Sequence, residues 1–299
     1  MSNFMNEIIK HNPLSEYLYN YYLDIKNANT EAYIFVACTG RSGSLTMTEI
    51  FKAVEGCASY HEPSPKMLSQ TELTGDKKEF FRRKFHKLKK VYIKRAAAGH
   101  KYYFESNHLF IKNFINPAVE YFGDKIRIIH LVRDPVSVAR SLYKLNHIPG
   151  KTDISKYYYL DPMADDNLID IRYLLEGDGE FTHEFFNCLW YFYEIEARIE
   201  EAKERHPESF YFKIRTQELN NIEVLGAMFD ALRVPVDMQR LSAVVGTTMN
   251  IRKEEKIKDI DIEKSKEMNS RLLNEIKNKY GIKYKVIFEE AERDALDHL

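Results

Sequence analysis

The run from Tyr33 to Thr48, YIFVACTGRSGSLTMT, reads as a short strand feeding a glycine-serine loop and then a helix. Tyr33–Cys38 is apolar and rich in β-formers. Behind the loop, Met47, Ile50, Phe51 and Val54 fall at helical spacing, and the pattern stops at Gly56. A strand, a small-residue loop and a helix in that order suit an anion. The backbone N–H groups of Ser42, Gly43, Ser44, Leu45 and Thr46 can point at it from the helix N-terminus, where the dipole favours negative charge. Gly40 and Gly43 permit the tight turn and close approach. A nucleoside triphosphatase loop reads GxxxxGK[ST]. Here the position five after Gly40 is Leu45, and no lysine comes after it. The cation of this loop comes early, as Arg41.

Further elements extend the pattern. Ser15–Lys26 is expected as an amphipathic helix and Cys57–Tyr60 as a second strand, ending at HEPSP, where two prolines forbid regular structure. Asp76–Ala98 reads as a basic helix with Phe81, Phe85, Leu88 and Tyr92 on its apolar face, its opposite face solvated. KYYFE (Lys101–Glu105) is a third strand, followed by SNHLF and a helix over Pro117–Phe122. KIRIIHLV (Lys125–Val132) is a near-continuous apolar run, as a parallel strand buried on both faces requires. Asp134-Pro135 opens a helix, with an N-cap acid and proline in the first turn. Gly150–Gly179 is polar, aromatic and irregular apart from a short helix near Leu168–Leu174, and reads as a lid or acceptor-site insert. Thr182–Glu204 is a long helix carrying Trp190, Phe210–Ile214 a strand, Asn221–Leu232 a helix, and the charged tail from Glu254 is helical. Strands alternating with helices predict an α/β fold, a parallel sheet flanked by helices, in a single domain over residues 1–299.

The loop resembles that of the sulfotransferases that use 3′-phosphoadenosine-5′-phosphosulfate (PAPS). Bacterial and carbohydrate-directed members carry RSGS or RSGT directly after the first strand, as TGRSGSLT does here. IIHLVRDPVSVARSLY is similar to the family's 3′-phosphate site: an apolar strand, an arginine, Asp/Asn-Pro, and a serine eight residues after the arginine. Arg133 and Ser141 fill those positions. The residues support the pairing independently. Arg133 falls at the C-terminal end of its strand, the edge where open α/β sheets bind ligands, and its planar fork suits phosphate. Asp134, Ser137, Val138 and Ser141 share one helical face. FYFKIRTQELNN is similar to the family's later strand and RYEDL segment, with Thr216 and Gln217 in place of Tyr and Glu. TTMNIRKEEK stands where the family often sets a basic loop over the 3′-phosphate, and offers Arg252 and Lys253.

The resemblance implies a P-loop-like sulfotransferase fold and transfer of a sulfuryl group from PAPS to an acceptor hydroxyl, on a carbohydrate or glycolipid, with no metal. Arg41 then takes the loop position where the family uses Lys or Arg. Two residues are candidates for the base that deprotonates the acceptor. Glu62, in SYHEPSP, resembles the EP glutamate of a bacterial trehalose-type family, and the loop-to-EP order and spacing favour it. His108, in ESNHLF, falls near the histidine of the cytosolic enzymes' KTHLP segment, and titrates near neutrality. The adenine-stacking aromatic is open between Phe51 and Trp190, with core packing the default for the tryptophan. Tyr157–Tyr159 could stack on sugar rings or pin the insert. A nucleotide-dependent kinase with a degenerate loop, and a non-catalytic nucleotide-binding protein, are the alternatives.

Composition is consistent with this. The chain is 44% apolar, with 44 basic against 45 acidic side chains and a formal charge of -1, so nothing global argues for nucleic acid. Three cysteines, none at metal-ligand spacing, suggest a reduced, cytoplasmic protein. MSNFMNEIIKHNPLSEYL carries no leader-like apolar region, and no run of about eighteen apolar residues predicts a membrane span. Oligomeric state is left open.

Overall fold

A computed structural model describes residues 13–68, 76–176, 179–245 and 257–296. In chain order they form α1 (Pro13–Lys26), β1 (Ala32–Ala37), α2 (Ser44–Lys52), β2 (Cys57–His61), α3 (Lys77–Lys84), α4 (Lys90–Ala97), β3 (Tyr102–Ser106), α5 (Ile115–Phe122), β4 (Ile126–Val132) and α6 (Pro135–Lys144). The insert comes next, with α7 (Asp153–Tyr158) and α8 (Arg172–Leu175). Then come α9 (Phe185–Arg205), β5 (Phe210–Arg215), α10 (Ile222–Ala231), α11 (Met238–Val244), α12 (Ile262–Tyr280) and α13 (Lys285–Leu296).

All five strands are parallel, in the order β2-β3-β1-β4-β5. The sheet is therefore α/β with helices on both faces, as the alternating pattern predicts. Every residue of β1 is buried. Its side chains divide by the two-residue period of a strand. Ile34 and Val36 join the core under α2 and α10, while Tyr33 and Phe35 join the core under α5, α6 and α9. Residue 106 of β3 lies opposite both Val36 of β1 and His61 of β2, and Val132 of β4 lies opposite Arg215 of β5. Parallel pairing thus brings the segments after all five strands to one edge.

Phe51 and Trp190 are core residues, which removes both from adenine stacking. Phe51 stacks on Phe104 with ring centroids 3.8 Å apart, and Trp190 donates from Nε1 to the Ile169 carbonyl at 2.6 Å. The insert is more regular at its start and less so later than its sequence suggests. Asp153–Tyr158 is helical, whereas only Arg172–Leu175 of the second stretch is.

The basic helix departs from its expected face in an instructive way. α3 runs into α4 through a wide π-helical turn, Phe85–Lys89. Such a turn inserts a residue and rotates the helix beyond it. Leu88 is 46% exposed as a result, and Lys89 takes the inward position. Its ammonium lies 2.7 Å from the Glu105 carboxylate of β3, both side chains fully buried. Tyr103 Oη and Asn107 Nδ2 also donate to Glu105, at 2.6 and 2.8 Å, and Lys89 Nζ donates to the Pro63 carbonyl at 3.2 Å. The pair therefore anchors the segments after β2 and β3 together. Breaking it from one side leaves a buried charge without its partner. Glu105→Ala is expected to lose about 3–5 kcal/mol in urea unfolding, and the double change Lys89→Met/Glu105→Leu to recover most of it. A single-variant loss below about 1 kcal/mol would show that the pair anchors nothing.

Candidate active site

The loop after β1 is built from left-handed residues. Gly40 and Gly43 have φ of 79° and 89°, and Arg41 between them has φ of 57°. A Cβ on Gly40 would stand 3.2 Å from His108 Cγ, and one on Gly43 2.8 Å from Leu219 Cδ1. Glycine is therefore required twice over, by conformation and by space. The first bond of α2 runs from Met47 N to Gly43 O, at 3.1 Å. The amides of Ser44, Leu45 and Thr46 thus precede the helical ladder, as an anion site at a helix N-terminus requires. The Ser42 side chain turns into the core beside the Cys38 thiol.

The loop carbonyls are held by the other strands. Arg133, directly after β4, donates from Nη1 to the Arg41 carbonyl at 2.7 Å. Thr216, directly after β5, places its hydroxyl 2.8 Å from the Ser42 carbonyl and 3.2 Å from that of Val132. Tyr191 of α9 donates to the Thr39 carbonyl at 3.1 Å. The Arg41 side chain reaches Ser141 of α6, Nε to Oγ 3.0 Å. The structure thus brings together Arg41, Arg133 and Ser141. Asp134 caps α6 by accepting from Ser137 N at 2.7 Å, with Pro135 in the first turn, which fixes where Arg133 and Ser141 lie. Burial, with Arg41 nearby, lowers the Arg133 pKa, while Asp134 opposes that shift. Arg252 and Lys253 lie outside the described residues.

Both base candidates lie at the same edge and in contact. Glu62 Oε1 is 3.5 Å from His108 Nε2. Glu62, like Arg41, is a non-glycine residue with a left-handed backbone, φ 44°. Such conformations cost of order 1–3 kcal/mol and collect at functional sites. Its amide is fixed by the Ser106 carbonyl at 3.0 Å. His61 Nε2 lies 3.2 Å from Ser44 Oγ, and Ser106 Oγ donates to the Ser44 carbonyl at 2.7 Å, so β2 and β3 also hold the start of α2. Burial, reinforced by Lys112, His61, Lys66 and Arg41, pushes the His108 pKa well below the usual histidine range. The imidazole is therefore neutral at physiological pH.

Two residues with a part here carry little sequence signal. Thr216 stands where the resemblance expects a tyrosine, and its hydroxyl clamps the loop. Lys112 lies four residues after His108, the separation of one helical turn, but in an apolar run where nothing marks a lone lysine. Its Nζ lies 3.0 Å from His108 Nδ1 and 2.8 Å from Tyr191 Oη, and it also donates to the Tyr158 carbonyl. Lys112 is half-buried as a residue, its ammonium is surrounded by these three partners, and burial pushes its pKa down to about 7. The insert closes over this group. The Tyr158 ring lies 6.1 Å from that of His108, nearly parallel at 14°, and Lys66 Nζ donates to Tyr158 Oη at 3.1 Å. Tyr158 and Tyr159 therefore pin the insert to the site.

No family model matches the sequence, and no curated protein matches it. Similar solved structures include a sulfotransferase domain from the curacin biosynthetic pathway, with 14% identity and a TM-score of 0.45, covering 81% of this chain and 97% of that one. Another is a sulfotransferase from Alicyclobacillus acidocaldarius, with 13% identity and a TM-score of 0.43, covering 83% of this chain and 94% of that one. Among the described residues, no helix is long and apolar enough to cross a membrane.

The buried lysine makes stability depend on pH. Its pKa falls on folding, from 10.5 to about 7. Between those values the unfolded chain holds a proton that the folded chain lacks, so stability rises with pH through that window. Below about 7 the cost of the buried charge is fully present. Lys112→Met is therefore expected to gain most over the wild type at pH 6. The gain should shrink between pH 7 and 10, at up to about 1.4 kcal/mol per pH unit for one proton. Urea unfolding at several pH values measures it, and a pH-independent difference would place an ordinary lysine there.

Proposed function

We propose that the protein is a PAPS-dependent sulfotransferase that moves a sulfuryl group to an acceptor hydroxyl, on a carbohydrate or glycolipid. The observation that carries this reading is the meeting of Arg41 with Ser141 and Arg133 beside a glycine loop that leads into a helix N-terminus. Two phosphate-binding arrangements therefore converge at one sheet edge, and a base pair of Glu62 and His108 stands beside them.

In this reading PAPS supplies a sulfuryl group bonded to its 5′-phosphate. The amides of Ser42, Gly43, Ser44, Leu45 and Thr46 hold the 5′ end, with the hydroxyls of Ser44 and Thr46. Arg133 and Ser141 hold the 3′-phosphate, joined by Arg252 and Lys253. Arg41 neutralises charge that develops toward the leaving oxygen, the electrostatic role for which a preorganised cation is suited. The acceptor enters against the 150–179 insert, which sets its identity, and the chain acts as one domain in the cytoplasm.

Thermal shift with 3′-phosphoadenosine-5′-phosphate against ATP with magnesium tests the reading. The bisphosphate is expected to stabilise the protein, by about 2.7 kcal/mol at one hundred times Kd, and Arg133→Ala to abolish the shift. A shift with ATP and magnesium alone would favour a kinase and overturn the proposal. Glu62→Gln should keep the bisphosphate shift and lose turnover by a factor of about 10²–10⁴. A bisphosphate shift in a wild type that sulfates no acceptor would favour a non-catalytic nucleotide-binding protein.

A further inference from the structure

Glu62, His108 and Lys112 form a line running inward from the sheet edge. Glu62 Oε1 lies 3.5 Å from His108 Nε2, and His108 Nδ1 lies 3.0 Å from Lys112 Nζ. Lys112 has two other partners. The Tyr158 carbonyl can only accept. Tyr191 gives its proton to the Thr39 carbonyl, so toward Lys112 its oxygen accepts.

Hydrogen counting then allows two states. A neutral amine has two hydrogens and one lone pair. The hydrogens go to Tyr158 and Tyr191, and the lone pair receives His108 Nδ1–H. An ammonium has three hydrogens. The third goes to Nδ1, so the imidazole proton sits on Nε2 and faces Glu62. The three contacts of Lys112 are satisfied in both states, which differ by one proton on Lys112 and the tautomer of His108; in the amine state the bare Nε2 faces Glu62 and is satisfied when that carboxyl carries a proton. The His108–Lys112 pair can therefore pass a proton without breaking its own contacts, and Glu62 joins it by closing the 3.5 Å gap to Nε2.

We infer that Lys112 is the inner end of a proton path, Glu62 to His108 to Lys112, that carries the acceptor's hydroxyl proton away from the reacting oxygen. The inference deepens the proposed function and rests on it for the identity of the proton's source. The acceptor O–H bond breaks and its proton goes to the Glu62 carboxylate. Glu62 passes a proton to His108 Nε2, and the Nδ1 proton moves to the Lys112 lone pair. The electron pair left on the acceptor oxygen forms the new S–O bond. The old S–O bond breaks, with its pair going to the 5′-phosphate oxygen. One proton has left the acceptor and one has reached Lys112, from which it is released to water. Lys112 is thus a positioning and proton-accepting residue that works through His108.

The surroundings suit this. His61, Lys66 and Arg41 oppose charge on His108, and Arg198 and Lys77 oppose it on Lys112. Glu62 favours charge on Lys112, and the buried Cys38, pushed up to about 11, remains a thiol. With its pKa at about 7, Lys112 is a neutral amine in a large fraction of molecules at neutral pH, where an ordinary lysine would be locked as the ammonium.

Nitrogen-15 NMR of the His108 ring in the ligand-free protein tests the path directly. The Nε2–H tautomer is expected below about pH 7 and the Nδ1–H tautomer above it, with no such change in Lys112→Met. In turnover at saturating PAPS and acceptor, kcat of the wild type should fall as pH drops below about 7, because Lys112 is then already protonated. Lys112→Met should be slower by about 10²-fold and lose that acidic limb. Lys112→Arg keeps a donor for Nδ1 but accepts no proton, so it should be as slow as Lys112→Met with an unchanged KM. Rescue of kcat by Lys112→Arg, or one fixed His108 tautomer from pH 6 to 8.5, would overturn the path. A wild type that binds no bisphosphate and moves no sulfuryl group would instead overturn the proposed function, while the His108 titration would still decide the path.

Discussion

The carbonyl oxygen of Arg41, which accepts from Arg133 at 2.7 Å, fixes the relation between the loop and the sheet. A left-handed residue turns its carbonyl away from the course that an ordinary turn would give it. At Arg41 that direction is toward the end of β4. Thr216 takes the next carbonyl, at Ser42, in the same way from the end of β5. Successive carbonyls of the loop are thus committed to protein donors. Consecutive amides in such a turn can form an anion-binding concavity. The left-handed conformations of Gly40, Arg41 and Gly43 shape the loop so that its carbonyls meet Arg133 and Thr216, the form that the proposed anion site calls for.

Electrostatics at the same edge point the same way. Arg41, Arg133, His61, Lys66 and Lys112 converge there, and each of these groups takes part in the pKa shifts of Arg133, His108 or Lys112. Glu105, the carboxylate nearest in sequence to His108, is taken up by Lys89 and cannot offset them. Arg41, Arg133 and Lys66 keep that edge basic, with Glu62 and Asp134 as the carboxylates beside them. The buried Lys89–Glu105 pair has a second effect. Because Lys89 also holds the Pro63 carbonyl, the strained backbone of Glu62 is braced on both sides, by Ser106 at its amide and by Lys89 just after it.

How much of this is legible in the sequence depends on which interactions are local. The strands are legible because buried parallel strands must be continuous apolar runs, as Tyr33–Cys38 and Lys125–Val132 are. The α6 start is legible because capping by Asp134 and Pro135 is a matter of adjacent residues. Arg133 and Ser141 can be paired because one helix relates them. The π turn at Phe85–Lys89 cannot be read, since it leaves composition unchanged while moving Leu88 out and Lys89 in. Lys112 is hidden for a related reason. A lysine in HLFIK shows its charge in the sequence, and only its three partners, from the segment after β3, the insert and α9, reveal that the charge is removable. Phe51 and Trp190 look available for adenine because an aromatic residue on a helix shows no sign of which way it faces.

The insert meets the proposed proton path through one residue, Tyr158. Glu194 of α9, fully buried, accepts from the amides of Leu168 and Ile169 and pairs with Arg198, so the later part of the insert is pinned to the longest helix of the core. Its earlier part, α7, ends at Tyr158. The ring of Tyr158 covers His108, and its backbone carbonyl holds Lys112. On the proposed reading, an acceptor seated against α7 would press on the element that contacts His108 and Lys112, two of the three members of the proposed proton path. An insert that recognised the acceptor by moving freely would misalign the base each time it moved. Glu194 and Trp190 hold the later part of the insert and Lys112 its earlier part, so on the proposed reading the acceptor would meet side chains displayed on a braced segment.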